Sequence, residues 1–223
     1  MKVYGKNVFN ELRENISSIK KVYLAKNFND KDIVQFIKEN KISYSVMDSR
    51  KMDGMVDGRH QGIIIIIDDY AYSDYKTMFT DQVVVLLDQH NFGAIIRTCE
   101  AAGIRSVIIP KDRSVSVTST VMKTSAGALE HVNVAMVNNL VKVIDDFKKN
   151  DFFVYAADMD GHNYKDVHFS DKVLLVIGSE GNGVGRLVKQ HCDEILSIPQ
   201  YGHVNSLNAS VAAAILIYGI INK

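Results

Sequence analysis

Apolar residues recur along this chain with two different periods, and the places where the period changes mark its elements. Val8, Leu12, Ile16 and Ile19 fall at helical spacing, with Asn7 placed to cap the helix they predict. The apolar run Val22-Tyr23-Leu24 predicts a short buried strand. Asp30 is placed to cap a second helix carrying Ile33, Phe36 and Ile37, Tyr44–Met47 reads as a further strand, and residues 54–62 read as a loop. The five consecutive isoleucines Ile63–Ile67 are too few and too β-branched for a helix, which predicts a central strand. Residues 68–81 are polar and tyrosine-bearing, with no strong period, and make the best linker. The boundary expected there divides the chain into domains 1–76 and 77–223.

From Gln82 onward strand-like and helix-like stretches alternate. Strands are expected at Val83–Leu87 and at residues 107–109, 132–137, 152–156, Val173–Ile177 and 194–198. Helices are expected at residues 93–102, 118–125, 140–149, 184–191 and 206–221. Alternating β and α with near-continuous apolar strands predicts an α/β domain, a mostly parallel sheet covered by helices on both faces. Ligands of such sheets sit beyond the carboxyl ends of the strands, so the chemistry is expected in the loops after Leu87, Ile177 and Ile198.

Composition narrows the class. At 223 residues, 47% hydrophobic and 23% charged, the chain is long enough for one or two packed domains and unlike disordered, collagen-like or disulfide-dense chains. The 26 Lys and Arg balance 26 Asp and Glu, so a nucleic-acid site must be local rather than spread over a basic surface. The two halves differ little, at 13 basic to 11 acidic residues over 1–76 and 13 to 15 over 77–223. Cys99 and Cys192 lie far apart and outside any CxxC pair, which argues against a structural zinc or a disulfide framework, and no His/Cys cluster has metal-ligand spacing. No apolar run approaches the ~20 residues of a membrane span, and Met1-Lys2-Val3 opens no signal peptide, so a cytoplasmic protein is expected.

The three loops hold the candidate chemistry. After Leu87 the chain reads Asp88-Gln89-His90-Asn91-Phe92-Gly93-Ala94-Ile95-Ile96-Arg97-Thr98, in which Asn91 is placed to cap a helix and Arg97 emerges one turn inside among alanines. After Ile177 comes Gly178-Ser179-Glu180-Gly181-Asn182-Gly183-Val184-Gly185, glycine-rich yet lacking both GxxxxGK[ST] and GxGxxG, which disfavours a nucleotide-phosphate site. It reads as a flexible turn with exposed backbone N–H groups and one acid. The third reads Ile198-Pro199-Gln200-Tyr201-Gly202-His203-Val204-Asn205-Ser206-Leu207-Asn208-Ala209-Ser210, with Ser206 placed as a helix cap and Asn208 and Ser210 early in the helix. Taken singly, each pattern is also what an ordinary capped helix or solvated turn displays.

Together, in this order, the three loops resemble the motifs of the SpoU branch of the SPOUT methyltransferases: N-x-G-x-x-x-R-T, G-S-E-G-x-G and I-P-x-x-G-x-x-x-S-L-N-x-S. The likeness spans about 125 residues and extends to Pro110-Lys111-Asp112-Arg113-Ser114 and to the stretch from Lys123 to His131. These look like the subgroup that methylates the ribose of guanosine in 23S ribosomal RNA. Gly5-Lys6-Asn7-Val8 and His60-Gln61-Gly62 look like the N-terminal substrate-binding domain of that subgroup, a domain resembling a ribosomal-protein fold. One departure stands out: family members usually carry Asp-Pro just before the His-Asn pair, whereas here Asp88-Gln89 runs directly into His90.

The resemblance implies a deep trefoil knot in the C-terminal SPOUT domain, a homodimer with its active site near the interface, and S-adenosylmethionine held in the knot. It places Gly178, Ile198 and Leu207 at cofactor-contact positions, and Asn91, Arg97, Glu180, Ser206 and Asn208 at catalytic or substrate-proximal ones. Lys111, Arg113 and Lys123 are the expected phosphate contacts, with Lys6, Asn7, Arg59 and His60 the candidates for RNA contact in the first domain. The expected reaction is methyl transfer to a ribose 2′-OH of RNA, without metal or membrane. A transfer-RNA ribose methylase or a ribosomal-RNA resistance methylase shares these features. A nucleotide-binding parallel-sheet protein and a non-catalytic RNA-binding module are the readings outside that class.

Overall fold

The computed structural model of the chain describes residues 1–56, 58–88, 92–111, 117, 121, 124–125, 127–179, 183–203 and 206–222. They form two compact units, Met1–Ala71 with Val117–Gly127, and Tyr72–Ser116 with Ala128–Lys223. The boundary expected after residue 76 falls inside a 3-10 helix, Tyr75–Thr80. That helix belongs to the second unit: Met78 is buried among its strands, and Tyr75 donates its hydroxyl to Asp146.

In the first unit β1 (Lys2–Tyr4), β2 (Ile19–Ala25), β3 (Tyr44–Met47) and β4 (Ile63–Ile67) form a sheet in the order β1-β4-β2-β3. The isoleucine strand is central, antiparallel to both β1 and β2. Its pleat explains the unbroken apolar run. Ile63, Ile65 and Ile67 face α1 (Lys6–Glu11) and α2 (Lys31–Glu39), while Ile64 packs on the other face with Tyr4 and Met52 of α3 (Ser49–Asp53). Asp30 caps α2 as expected, accepting from the Ile33 N–H.

Two local expectations fail. Asn7 is not a cap, because α1 starts from Gly5 and Asn7 lies within the helix. Nor does that helix reach Ile19. It passes into a 3-10 stretch, Leu12–Ser18, with Asn15 at φ −128° and ψ 61°, and Ile19 opens β2. Ser17 donates to the Asn15 side chain and Ser18 to its carbonyl, the competition by which short polar side chains end helices.

The second unit is a six-stranded, all-parallel sheet in the order β10-β8-β9-β5-β6-β7. Its strands are β5 (Val83–Leu87), β6 (Ser106–Pro110), β7 (Asn133–Val137), β8 (Phe153–Asn163), β9 (Val173–Ile177) and β10 (Glu194–Ser197). Its helices among the described residues include α4 (Phe92–Ala101), α5 (Leu140–Lys148), α6 (Arg186–His191) and α7 (Ala209–Ile221). Val143, Ile144 and Phe147 of α5 pack on one face of the sheet. On the other, α4 and α7 lie side by side, with Tyr218 donating to the Ala101 carbonyl at 3.4 Å. Of the expected helix over residues 118–125, Val121, Thr124 and Ser125 are described and are helical, and the other five residues lie outside the described ones. Among the described residues no helix is long and apolar enough to cross a membrane.

Candidate functional site

Parallel register brings the functional loops to one edge. Leu87 of β5 and Ala157 of β8 both pair with Ile177 of β9, and the Asp88 N–H donates to the Ile177 carbonyl at 2.9 Å. β5 and β9 therefore end at the same level, beside Ala157 of β8. β8 then continues past the point where residues 152–156 were expected to end it. Ala156 pairs with Ile195 and His162 with Leu196, so residues 157–161 have no register partner in β10, although the Ser197 hydroxyl donates to the Gly161 carbonyl at 2.8 Å.

The glycine loop folds back on itself. The Ser179 N–H donates to the Gly183 carbonyl at 2.8 Å and the Gly183 N–H to the Ser179 carbonyl at 3.0 Å, so these two N–H groups are taken up by carbonyls of the loop rather than standing free as expected. Gly178 allows the closure: a Cβ there would lie 2.2 Å from Gly183 C and Val184 N. Gly183 has φ +62°, a conformation glycine adopts at low cost, and a Cβ on it would lie 2.8 Å from Asp158 Oδ2.

These segments wall a cavity of about 610 Å³, within the range of small-molecule sites. Ile177, Leu196, Ile198, Leu207, Ala212 and Leu216 supply apolar surface, and Asp158, Ser179, Lys189, Gln200 and Ser206 supply polar groups. Asp158 accepts from the Lys189 ammonium at 2.5 Å and from the Met159 N–H at 2.8 Å. Burial pushes its carboxyl upward, but the Lys189 hydrogen bond and charge, with the backbone N–H groups, hold it below its ordinary value of 3.8. Burial also drives the thiols of Cys99 and Cys192 up to about 12, so neither offers a thiolate near neutral pH.

The residues singled out in the sequence fall into three groups. Gly178, Ile198, Leu207 and Ser206 meet at the cavity. Arg97 is exposed on α4, and Lys111 is exposed after β6 with its N–H donating to the Val137 carbonyl. Asn91, Glu180, Arg113 and Lys123 lie outside the described residues, as does the junction of Gln89 with His90. Asn208, rather than the expected Ser206, caps α7; its Oδ1 accepts from the Ser210 N–H at 2.9 Å and hydroxyl at 2.6 Å.

In the first unit His60 is not a free contact residue. It is buried, its Nδ1 accepting from the Gly62 N–H and its Nε2 facing Asp53 at 2.9 Å. Lys6 pairs with Asp30, and its N–H donates to Gln61 Oε1, so the Gly5-Lys6 and His60-Gln61-Gly62 motifs brace one another. Asn7 and Arg59 remain exposed. Sequence reasoning missed Asp158 and Lys189. The signal available was only a polar Asp158-Met159-Asp160-Gly161 run after a strand and a lysine on a short helix.

A parallel sheet with a cavity at its carboxyl edge, walled by a glycine loop and the start of a small-residue helix, defines a ligand-binding α/β domain. Comparison with known proteins carries this further. Residues 82–218 match the SpoU rRNA methylase family and residues 2–73 the RNA 2′-O ribose methyltransferase substrate-binding family. A protein of Staphylococcus haemolyticus assigned to the TrmH family of tRNA/rRNA methyltransferases is 39% identical over 99% of this chain and 95% of its own length. A Staphylococcus aureus protein of the same assignment is 41% identical over 86% of this chain and 82% of its own. AviRb of Streptomyces viridochromogenes, a SpoU methyltransferase solved in complex with AdoMet, superposes with a TM-score of 0.86 at 19% identity, covering 100% of this chain and 89% of AviRb. The chain belongs to the SpoU rRNA methylase family.

Proposed function

We propose that this protein transfers a methyl group from S-adenosylmethionine to a ribose 2′-OH of RNA, with a guanosine of 23S ribosomal RNA as the substrate the motifs favour. The observation that carries the reading is the cavity at which Gly178, Ile198 and Leu207 meet, at the edge of the sheet where the family's motif loops begin. Its size suits an adenosyl ligand, and its apolar walls with a few polar groups suit an adenine ring and its sugar. AviRb, of the same fold, was solved with AdoMet. S-adenosylmethionine, when bound, supplies an electrophilic methyl group on a sulfonium.

The chain's own task is to align the hydroxyl with that methyl group and to accommodate the charge that develops as the hydroxyl loses its proton. Arg97 suits the second role. A guanidinium stays protonated at neutral pH, which makes it a poor base but a good planar donor to an alkoxide and an RNA phosphate. Asn91, Glu180 and Ser206 are assigned to orienting Arg97 and the ribose. Asn208 acts through the start of α7, which it caps next to Leu207. Lys111, Arg113 and Lys123 are assigned to phosphates, which position RNA without reading its sequence. The first unit, with Met1–Ala71, is assigned to substrate selection, through shape and a few contacts such as Asn7 and Arg59.

The active protein is proposed to be a cytoplasmic homodimer whose C-terminal domain is knotted. Ala94, Arg97 and Ala101 form an exposed stripe on α4, and α7 beside it exposes Val211 and Tyr218. An apolar face adjoining Arg97 fits a second copy of the chain, with the active site at the joint. Calorimetric titration tests the assignment. Micromolar binding of S-adenosylmethionine without added metal is expected, and no heat well above that concentration overturns it. Parallel transfer assays on ribosomal and transfer RNA decide the substrate.

A further inference from the structure

Asp158 and Lys189 form an ion pair in the wall of the cavity that none of the motif loops accounts for. The two come from different elements, Asp158 from the stretch of β8 that leaves the β10 register and Lys189 from the last turn of α6. The Asp158 side chain is only 12% exposed and that of Lys189 28%. A desolvated carboxylate is costly, and a buried pair of this kind rarely stabilises a fold more than apolar side chains of the same volume. Its place is therefore informative. Asp158 Oδ2 lies beside Gly183, 2.8 Å from where a Cβ on that residue would sit, and Asp158 lines the space an adenosyl ligand takes in the reading above.

The acceptor count points the same way. An ionised carboxylate has about four lone-pair sites. Among the described residues, Lys189 and the N–H groups of Met159 and Asp160 supply three donors, one fewer than the lone-pair sites. An adenosyl ligand offers donors in its two ribose hydroxyls, its adenine amine and its α-ammonium group.

We propose that Asp158 is a ligand-binding residue that accepts a hydrogen bond from the adenosyl ligand, and that Lys189 is the positioning residue that holds its carboxylate in place. This rests on the methyl-donor reading of the cavity. Because Lys189 already neutralises the carboxylate, Asp158 contributes a directed hydrogen bond rather than long-range attraction to a cation. The site should therefore treat the charged donor S-adenosylmethionine and its thioether product S-adenosylhomocysteine alike.

The test is calorimetric titration of the full-length protein with each of these ligands, with the melting midpoint of every variant recorded and binding measured well below it. Asp158→Asn keeps the shape of the side chain and is expected to weaken both ligands by a similar factor, about 10- to 100-fold. Lys189→Met should weaken both as well, and Lys189→Arg should restore affinity to within about threefold of wild type, since a guanidinium can still hold the carboxylate. Wild-type binding with Asp158→Asn within twofold of it overturns this inference alone. Loss confined to S-adenosylmethionine, or a Lys189→Arg variant as weak as Lys189→Met, also overturns it. Wild type that binds neither ligand overturns the methyl-donor reading and this inference with it.

Discussion

Arg97 comes from the first motif of the family pattern and Asn208 from the third, and the structure gives them different physics. Arg97 projects from the exposed stripe of α4, where a guanidinium meets solvent and any RNA brought to the sheet edge. Replacing it with Ala should lower turnover by about 10²- to 10³-fold, the scale of losing one preorganised donor to developing charge, with S-adenosylmethionine affinity unchanged. Lys should restore little, because an ammonium lacks the planar fork; a rate near wild type for Arg97→Lys contradicts this role. Asn208 spends its Oδ1 on the backbone and hydroxyl of Ser210. Asn208→Ala should cost about 0.5–2 kcal/mol in urea unfolding, as loss of a helix cap does, and Asn208→Asp should recover most of it. The sequence placed the cap two residues early, at Ser206, because Ser and Asn are both good caps and only the backbone shows which of them starts the helix. The burial of His60 was not legible either: a His-Gln-Gly turn reads as an exposed loop until Asp53 and the Gly62 N–H are seen around the ring.

Elements with a strong period were readable, and those set by a few local hydrogen bonds were not. The isoleucine strand, the parallel strands β5 and β9 and the amphipathic helices α2 and α5 fall within a residue or two of their expected places. The three-residue β1 and five-residue α3 are too short to show a period. The extension of β8 depends on pairing with β10, which is distant in sequence. At the glycine loop, the sequence displays permissive residues but not what they permit, which is a closure so tight that Gly178 has no room for a Cβ. Gly178→Ala should force the turn apart, destabilise the protein by about 1–3 kcal/mol as overpacking does, and abolish S-adenosylmethionine binding; full binding in this variant contradicts the described closure. Helix α7 is apolar along nearly its whole length, and its Val211 is 47% exposed. Sedimentation should show about two chains per particle, and Val211→Asp should shift the protein toward monomer and lower methyl transfer; an active monomeric wild type contradicts the interface.

At the scale of the molecule, a sheet of mixed direction and an all-parallel sheet sit in one chain. The change from one to the other was legible as the onset of strand–helix alternation near Gln82. The membership of Val117–Gly127 in the first unit was not, because that segment comes from the second half of the chain and only spatial packing reveals it. The division matches the proposed roles, RNA selection in one unit and methyl-donor binding in the other. The measurement that reaches this account most directly is mass spectrometry of nucleosides from ribosomal RNA incubated with the full-length protein and S-adenosylmethionine bearing a heavy methyl group. The account predicts the heavy label on the ribose 2′-oxygen of one nucleoside, guanosine. Label on a base, or unlabelled RNA from protein that binds the methyl donor, contradicts it.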